Sequence, residues 1–285
     1  MMNTKRIRTI QLIKHATKFQ FNKHLTGLCY RYYSTSLEKS LVNQTALITG
    51  GSKGIGLSIA KKLSSRGCNC VLLSRNDKVL AKSILELCLI NNLQHHSFIA
   101  YDLNDLKNIE TKIVDPIFTD FTNVSILINC AGKSQASLLP FTSIDDICSL
   151  VNINLTSAMI LTKFFIRNFL KERKNRKNNG EIPLNIINIS SILAQDQYSI
   201  RGTSIYSTTK LGILGFTKNV TQDIKRDNIR CNVILPSFVK ETEIGSTVNE
   251  ELLKEQGIKT VTLEDVANKV INVIDKDMNG ETIIV

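Results

Sequence analysis

Thr45-Ala46-Leu47-Ile48-Thr49-Gly50-Gly51-Ser52-Lys53-Gly54-Ile55-Gly56 decides the fold of this 285-residue chain. The run Thr45-Ala46-Leu47-Ile48 is short and apolar, and the segment that follows, Leu57-Ser58-Ile59-Ala60-Lys61-Lys62-Leu63, has the period of a helix. Strand, glycine turn and helix, in that order, give a glycine-rich loop its meaning. Gly50 and Gly54 permit a tight turn and a close backbone approach. Gly56 lets the helix pack on the strand, and the helix N-terminus turns free N–H groups toward an anion such as a pyrophosphate. A glycine loop that holds no ligand is the competing reading.

Downstream, Tyr206 and Lys210 stand four residues apart, after a seryl pair, Ser190-Ser191. On a helix that spacing places phenol and ammonium on one face, about 5–6 Å apart at their Cβ atoms. A neighbouring positive charge favours phenolate and is expected to lower the pKa of Tyr206 from its usual value of about 10. The pair then serves as proton donor and acceptor at a carbonyl, with a hydroxyl from Ser190 or Ser191 beside the oxygen. Alone, Tyr-x-x-x-Lys is weak; after a nucleotide-type turn it gains force.

Further elements fall in a consistent order. Asn129-Cys130-Ala131-Gly132 follows the apolar run Ser125-Ile126-Leu127-Ile128; Asn154 sits in Val151-Asn152-Ile153-Asn154-Leu155; Pro236-Ser237 follows a later run. Together these resemble the short-chain dehydrogenase/reductase family over residues 45–285. Asn129-Cys130-Ala131-Gly132 differs by one residue from that family's Asn-Asn-Ala-Gly, and Pro236-Ser237 stands where Pro-Gly is usual. The serine is expected to strain a backbone angle that glycine adopts freely. Ser191 precedes Tyr206 by fifteen residues, so the loop between them is slightly longer than the common one. Within the family, Asn188-Ile189-Ser190-Ser191-Ile192-Leu193, Gly202-Thr203-Ser204-Ile205-Tyr206-Ser207 and Asn228-Ile229-Arg230-Cys231 resemble the mitochondrial 3-oxoacyl-[acyl-carrier-protein] reductases of fungi.

The resemblance implies NADPH-dependent reduction of a 3-oxoacyl thioester on an acyl carrier protein; another ketone, sugar or steroid carbonyl is the alternative. It implies a catalytic set of Tyr206, Lys210, Ser191 and Asn154, with Asn154 steadying a proton-relaying water and Ser190 a weaker candidate. The implied nucleotide site is Gly50, Gly51, Ser52, Lys53, Gly54, Ile55, Gly56, Ser74, Arg75, Asp102, Leu103, Asn129, Ala131, Gly132, Pro236, Val239 and Thr242, with Tyr206 and Lys210 shared. A homotetramer assembled through the two longest helices is implied as well. Asp102 either accepts from the adenine amino group or caps the segment from Asn104. Cofactor choice is argued from Leu72-Leu73-Ser74-Arg75, which carries no acid for a ribose 2′-hydroxyl. Arg75, with Lys53 on the same side, suits a 2′-phosphate and so NADPH, although Arg75 alone also reads as a solvated loop charge.

Strand-like runs near 45–49, 70–74, 97–101, 125–129, 184–190, 231–235 and 281–285 alternate with helix-like ones near 56–66, 77–90, 105–120, 143–173, 204–226 and 263–275. The expected fold is α/β: one Rossmann-like, doubly wound parallel sheet of about seven strands with helices on both faces. Residues 41–285 form that domain, and residues 1–40 read as a leader. Segment 240–262 has weak periodicity and is expected to be a mobile lid over the substrate.

The formal charge of +11 invites a nucleic-acid reading, but seven of the cations lie in residues 1–37, which hold no Asp or Glu. Without them the remainder carries about +4, and the acid-free, Ser/Thr-containing start has the composition of a mitochondrial transit peptide, implying the matrix. A retained basic arm is the alternative. Seven cysteines without a Cys-x-x-Cys speak against a disulfide framework, and four histidines make a metal site unexpected. No uninterrupted apolar run reaches the roughly eighteen residues of a membrane span. The basic run Lys171, Arg173, Lys174, Arg176, Lys177, or Lys225 and Arg226, reads either as a solvated helix end or as a dock for an acidic carrier.

Overall fold

Residues 39–135, 137–175, 182–225, 228–242, 253, 255 and 257–285 are described, in a computed structural model. Seven strands form one parallel sheet: β1 (Thr45–Thr49), β2 (Asn69–Ser74), β3 (Ser97–Ala100), β4 (Val124–Asn129), β5 (Leu184–Ile189), β6 (Ile229–Leu235) and, last in the chain, β9 (Thr282–Ile284). Their spatial order is β3-β2-β1-β4-β5-β6-β9, so β1 and β4 are the adjacent strands at which the winding reverses. Each neighbouring pair runs parallel. The doubly wound fold is therefore as the sequence implied. Every residue of β1, β4 and β5 is buried, as a sheet covered on both faces demands, and most of their side chains are apolar.

Alternation along β1 shows the two layers. Ala46 and Ile48 face a core built with Ile59, Ala60 and Leu63 of α1 (Gly54–Ser64) and Val266, Val270 and Ile274 of α7 (Leu263–Asp275). Leu47 faces the opposite core, with Leu161, Phe165 and Phe169 of α5 (Ser157–Asn175). A one-residue slip of β1 would exchange these faces, so register is strongly specified.

Helix ends depart from expectation for local reasons. The helix expected over 77–90 stops as α2 (Asp77–Ile84). Beyond it, Leu85, Glu86 and Leu87 make three-residue turns, the Cys88 N–H donates to Ser64 Oγ, and the Ile90 N–H donates to Gln94 Oε1. Side chains have taken over backbone partners there. The expected 105–120 helix begins only with a π turn, Glu110–Val114, before α3 (Asp115–Asp120), whose Pro116 has no N–H to give. The expected 143–173 helix divides into α4 (Ile144–Val151), a π turn (Asn152–Thr156) and α5. Helix α6 (Ser204–Asp223) carries the Tyr-Lys pair. A two-stranded ribbon of β7 (Phe238–Val239) and β8 (Thr260–Val261) was not anticipated.

Among the described residues, Ile144–Glu172 has the length and mean apolarity of a membrane-crossing helix, although Asp145, Asp146, Lys163 and Arg167 interrupt it, as the sequence reading held. Its apolarity has a core explanation, since Leu161, Phe165 and Phe169 fill the second layer. Phe165, fully buried, meets Phe118 edge-on at 5.2 Å between centroids. Phe165→Ala should cost about 3–5 kcal/mol of unfolding free energy, read from the urea midpoint at unchanged slope.

Candidate active site

The nucleotide turn is built as tightly as glycine allows. Gly50 and Gly54 adopt φ of 66° and 56°, in the left-handed region. A Cβ on Gly56 would lie 2.4 Å from the Gly50 carbonyl oxygen, and one on Gly50 would lie 3.0 Å from Ala131 Cα. Gly56 thus lets α1 close onto the turn itself. Thr49 completes the arrangement: its Oγ1 accepts from the Cys130 and Ala131 N–H groups at 2.9 and 3.0 Å and donates to Ile128 O at 3.3 Å. That hydroxyl binds the end of β4 to the end of β1. Sequence reasoning passed over it, although a hydroxyl on the last strand residue before the glycines was the available signal. Helix α1 starts at Lys53 with no side-chain cap, so its first N–H groups remain available to an anion.

Over this turn lies a cleft of about 320 Å³. Its wall includes Gly50, Ser52, Lys53, Gly54, Ile55, Gly56, Ser74, Arg75, Asp102, Leu103, Ala131, Gly132, Tyr206, Lys210 and Thr242, fifteen of the residues expected to hold nucleotide. Ser52 Oγ donates to Ser74 Oγ at 2.9 Å, joining the turn to the end of β2. Asp102 lines the cleft, and its Oδ1 accepts from the Asn104 N–H at 3.0 Å, closing a turn rather than capping a helix. A cradle that a single Cβ would fill, an uncapped helix end and the cations Lys53 and Arg75 in the wall fit a dinucleotide.

Other expected nucleotide residues lie elsewhere. The Asn129 side chain points into the sheet–helix layer, donating to Asn188 Oδ1 at 2.8 Å and Thr162 Oγ1 at 3.2 Å. It holds strands and helix together and does not face the cleft. Gly51 packs under the turn, where a Cβ would lie 2.9 Å from Ile48 O. Pro236 and Val239 line a second cavity of about 180 Å³, together with Ser191, Ile192, Leu193, Ile200, Phe238, Leu253 and Ile258. Ile55, Ser190, Tyr206 and Thr242 belong to both walls, so Tyr206 stands where the nucleotide-sized cleft meets an apolar cavity.

Around Tyr206, which is itself half-buried, the partners are buried. Lys210 is 4% exposed; its Nζ donates to Ile189 O at 2.9 Å and lies 5.7 Å from the Tyr206 ring centroid. Loss of hydration lowers Lys210 from 10.5 to about 8. The same loss raises Tyr206 above 10, against a hydrogen bond with Ser191 that pulls it down. The expected lowering of Tyr206 by Lys210 is thus overturned. Burial outweighs charge, because the ammonium is turned to the β5 carbonyl and the ring face. Ser190 donates to Lys210 O at 2.7 Å and is a strut; Ser191, hydrogen-bonded with Tyr206, lines the apolar cavity.

Asn154 sits in the π turn, 2% exposed. Its Oδ1 accepts from the Lys133 N–H at 2.7 Å, and its Nδ2 donates to Lys133 O at 2.9 Å and Thr209 Oγ1 at 3.1 Å. These bonds clamp the β4 loop to α6. Ser237 also differs from expectation: it is absent from the positive-φ residues, so the serine meets no glycine-only angle. Its Oγ donates to Lys259 O at 2.6 Å and draws the strand after the lid onto β7. Of the segment expected to be a lid, 243–252, 254 and 256 lie outside the described residues, as do residues 1–38 of the expected leader and, in the basic run, Arg176, Lys177 and Arg226.

Lys210 carries a consequence for stability. Its folded value is about 8 against an ordinary 10.5, so the unfolded chain binds the extra proton between those limits. Its contribution therefore rises as pH climbs from about 8 towards 10.5. Denaturation of wild type and Lys210→Met at pH 7.5 to 10 should show wild type gaining relative to the variant; a constant difference would contradict the burial effect.

A family model described as short chain dehydrogenase matches residues 44–253. The 3-oxoacyl-[acyl-carrier-protein] reductase FabG of Chlamydia trachomatis is 31% identical over 228 residues, covering 78% of this chain and 84% of that one. The 3beta-hydroxysteroid dehydrogenase 2 of Eggerthella lenta is 30% identical over 224 residues, with coverages of 78% and 80%. A crystal structure of a short chain dehydrogenase from Burkholderia cenocepacia, in complex with NADP, superposes with a TM-score of 0.74 at 23% identity, covering 87% of this chain and 98% of that one. At that identity it speaks to the fold. With the cleft, the Tyr-Ser-Lys group and a family match over more than half its length, the chain belongs to the short-chain dehydrogenase family and is an oxidoreductase of it.

Proposed function

We propose that the protein reduces 3-oxoacyl-[acyl-carrier-protein] to the 3-hydroxyacyl form with NADPH, in mitochondrial fatty acid synthesis. One observation carries the reading: an apolar cavity opens from Tyr206 and Ser191, where it meets the nucleotide cleft. Ile192, Leu193, Ile200, Phe238, Leu253 and Ile258 offer a chain-like acyl group apolar contact and offer a sugar little to hydrogen-bond. The steroid reading stays second: the Eggerthella lenta relative is 30% identical, against 31% for the Chlamydia trachomatis reductase.

The chemistry follows from the buried group. When bound, NADPH supplies the hydride. Residues Gly50 to Gly56 and the start of α1 would hold its pyrophosphate, Arg75 and Lys53 its 2′-phosphate, and Lys210 its nicotinamide ribose. Ser191 orients the carbonyl oxygen, and Tyr206 gives that oxygen its proton. A raised Tyr206 keeps the phenol protonated through the neutral range, which suits a donor working in the reductive direction. Lys210, charged below about 8, steadies the phenolate that donation leaves behind.

An acidic carrier is the proposed partner. Lys171 and Lys225 are exposed, but Lys225 is nineteen residues past Tyr206, about 28 Å along the helix. Arg201 beside Ile200 and Lys259 beside Ile258, both exposed, are nearer the cavity mouth. Exposed Leu139, Phe141, Ile144, Met159 and Leu211, on or beside α4, α5 and α6, support assembly into a homotetramer through those helices. The basic, acid-free first 37 residues support import into the mitochondrial matrix.

A panel tests the reaction. Carrier-bound and carrier-free 3-oxoacyl thioesters, a steroid ketone and a sugar are each offered with NADPH and NADH. The carrier-bound thioester with NADPH should turn over fastest. Tyr206→Phe should lose at least about 100-fold in kcat while nucleotide still binds, and Arg75→Glu should weaken NADPH far more than NADH. Faster turnover of the steroid ketone would transfer the assignment to the second reading. For localisation, residues 1–40 fused to a fluorescent protein should direct it to mitochondria; a diffuse reporter would refute the matrix assignment.

A further inference from the structure

The catalytic helix is capped from outside itself. Thr203, at the N-cap position of α6, makes no side-chain cap; its hydroxyl donates to Ile200 O at 2.7 Å and accepts from Ser207 Oγ at 3.2 Å. The N–H groups of Ile205 and Tyr206, second and third in the helix, donate instead to Gln135 Oε1 at 2.9 and 3.4 Å. These are the groups that a cap residue ordinarily satisfies from the position just before the helix. Gln135 lies 70 residues upstream of Ile205, in the loop after β4, where its Nε2 donates to Ser137 O at 2.8 Å. It also lines the apolar cavity beside Ser134 and Thr203.

We propose that Gln135 is a positioning residue, which fixes the first turn of α6 and thereby the phenol of Tyr206 against a carbonyl held in the cavity. The first turn of a helix has no internal partners for its N–H groups, so it is the turn that loosens when a cap is lost. Tyr206 stands in that turn. Lys210, four residues on, is held independently by Ile189 O. Loss of the cap therefore moves the proton donor while the lysine and the nucleotide cleft stay in place. Because Gln135 also forms cavity wall, an acceptor pressing on the β4 loop acts on the same amide that sets Tyr206. The inference rests on Tyr206 being the proton donor and is independent of which carbonyl is reduced.

Three full-length proteins decide it: wild type, Gln135→Ala and Gln135→Glu. The glutamate keeps an oxygen acceptor for both N–H groups and loses only the donor to Ser137. With the best acceptor from the panel, Gln135→Ala should lower kcat by about 100-fold, the scale set by misplacing a reacting group by an ångström. Its nucleotide affinity, from fluorescence titration, should stay at the wild-type level, and Gln135→Glu should recover most of the lost rate. Amide hydrogen exchange at Ile205 and Tyr206 should quicken in Gln135→Ala and return towards wild type in Gln135→Glu. A rise in KM alone, a glutamate variant as slow as the alanine one, or unchanged exchange would each overturn the proposal. Should no acceptor on the panel be reduced, the exchange measurement decides it alone, so failure of the substrate assignment is told apart from failure of the cap.

Discussion

The arrangement around the site depends on an ammonium group kept in the interior. Lys210 is almost fully buried, and a buried charge must be compensated by hydrogen bonds or it gives up its proton. Here both occur in part: Nζ is bonded to the last carbonyl of β5, and the group has slid to about 8. The bond fastens α6 to the end of β5, and Ser190 Oγ fastens it a second time through Lys210 O. With α6 anchored there and its first turn held by Gln135, Tyr206 lies against Ser191 and between the two cavities. Asn154, Thr49 and Gln135 then draw the β4 loop into the same assembly, each through backbone N–H groups that would otherwise lack partners.

Strands were legible almost to the residue, because a sheet covered on both faces leaves short, mostly apolar segments such as Val124–Asn129 and Leu184–Ile189. Helix ends were less so. The polar groups of Ser64 and Gln94 that unwind the chain after Ile84 come from elsewhere in the sequence, and periodicity carries no trace of them. The same limit explains the site. Tyr206, Lys210 and the glycines announce themselves by spacing, whereas Gln135 is separated from its partners by 70 residues and has no local signature. Asn129 and Asn154 were noticed for their positions in family motifs, but direction is a tertiary property. Asn129 turned inward to Asn188 and Asn154 to the Lys133 backbone.

The behaviour of Tyr206 shows how magnitude settles a sign. A charge four residues along a helix argues for an acidified phenol, and in water-accessible surroundings that argument holds. Inside the protein the phenolate loses its hydration, and the nearby ammonium is directed at a carbonyl and at the ring face. Desolvation then wins, and the hydrogen bond with Ser191 offsets it only in part. Residue spacing identifies which groups meet; burial decides what their meeting does to a proton.

Ser237 gives the fold an unusual division of labour. By tying Lys259 O to β7, it makes the far side of the apolar cavity out of a short ribbon that carries none of the reacting groups. Natural variation in that ribbon is therefore free to lengthen, shorten or reshape the berth for the acceptor while hydride and proton delivery remain as they are. A lineage needing a new acceptor has a place to experiment that does not touch its chemistry.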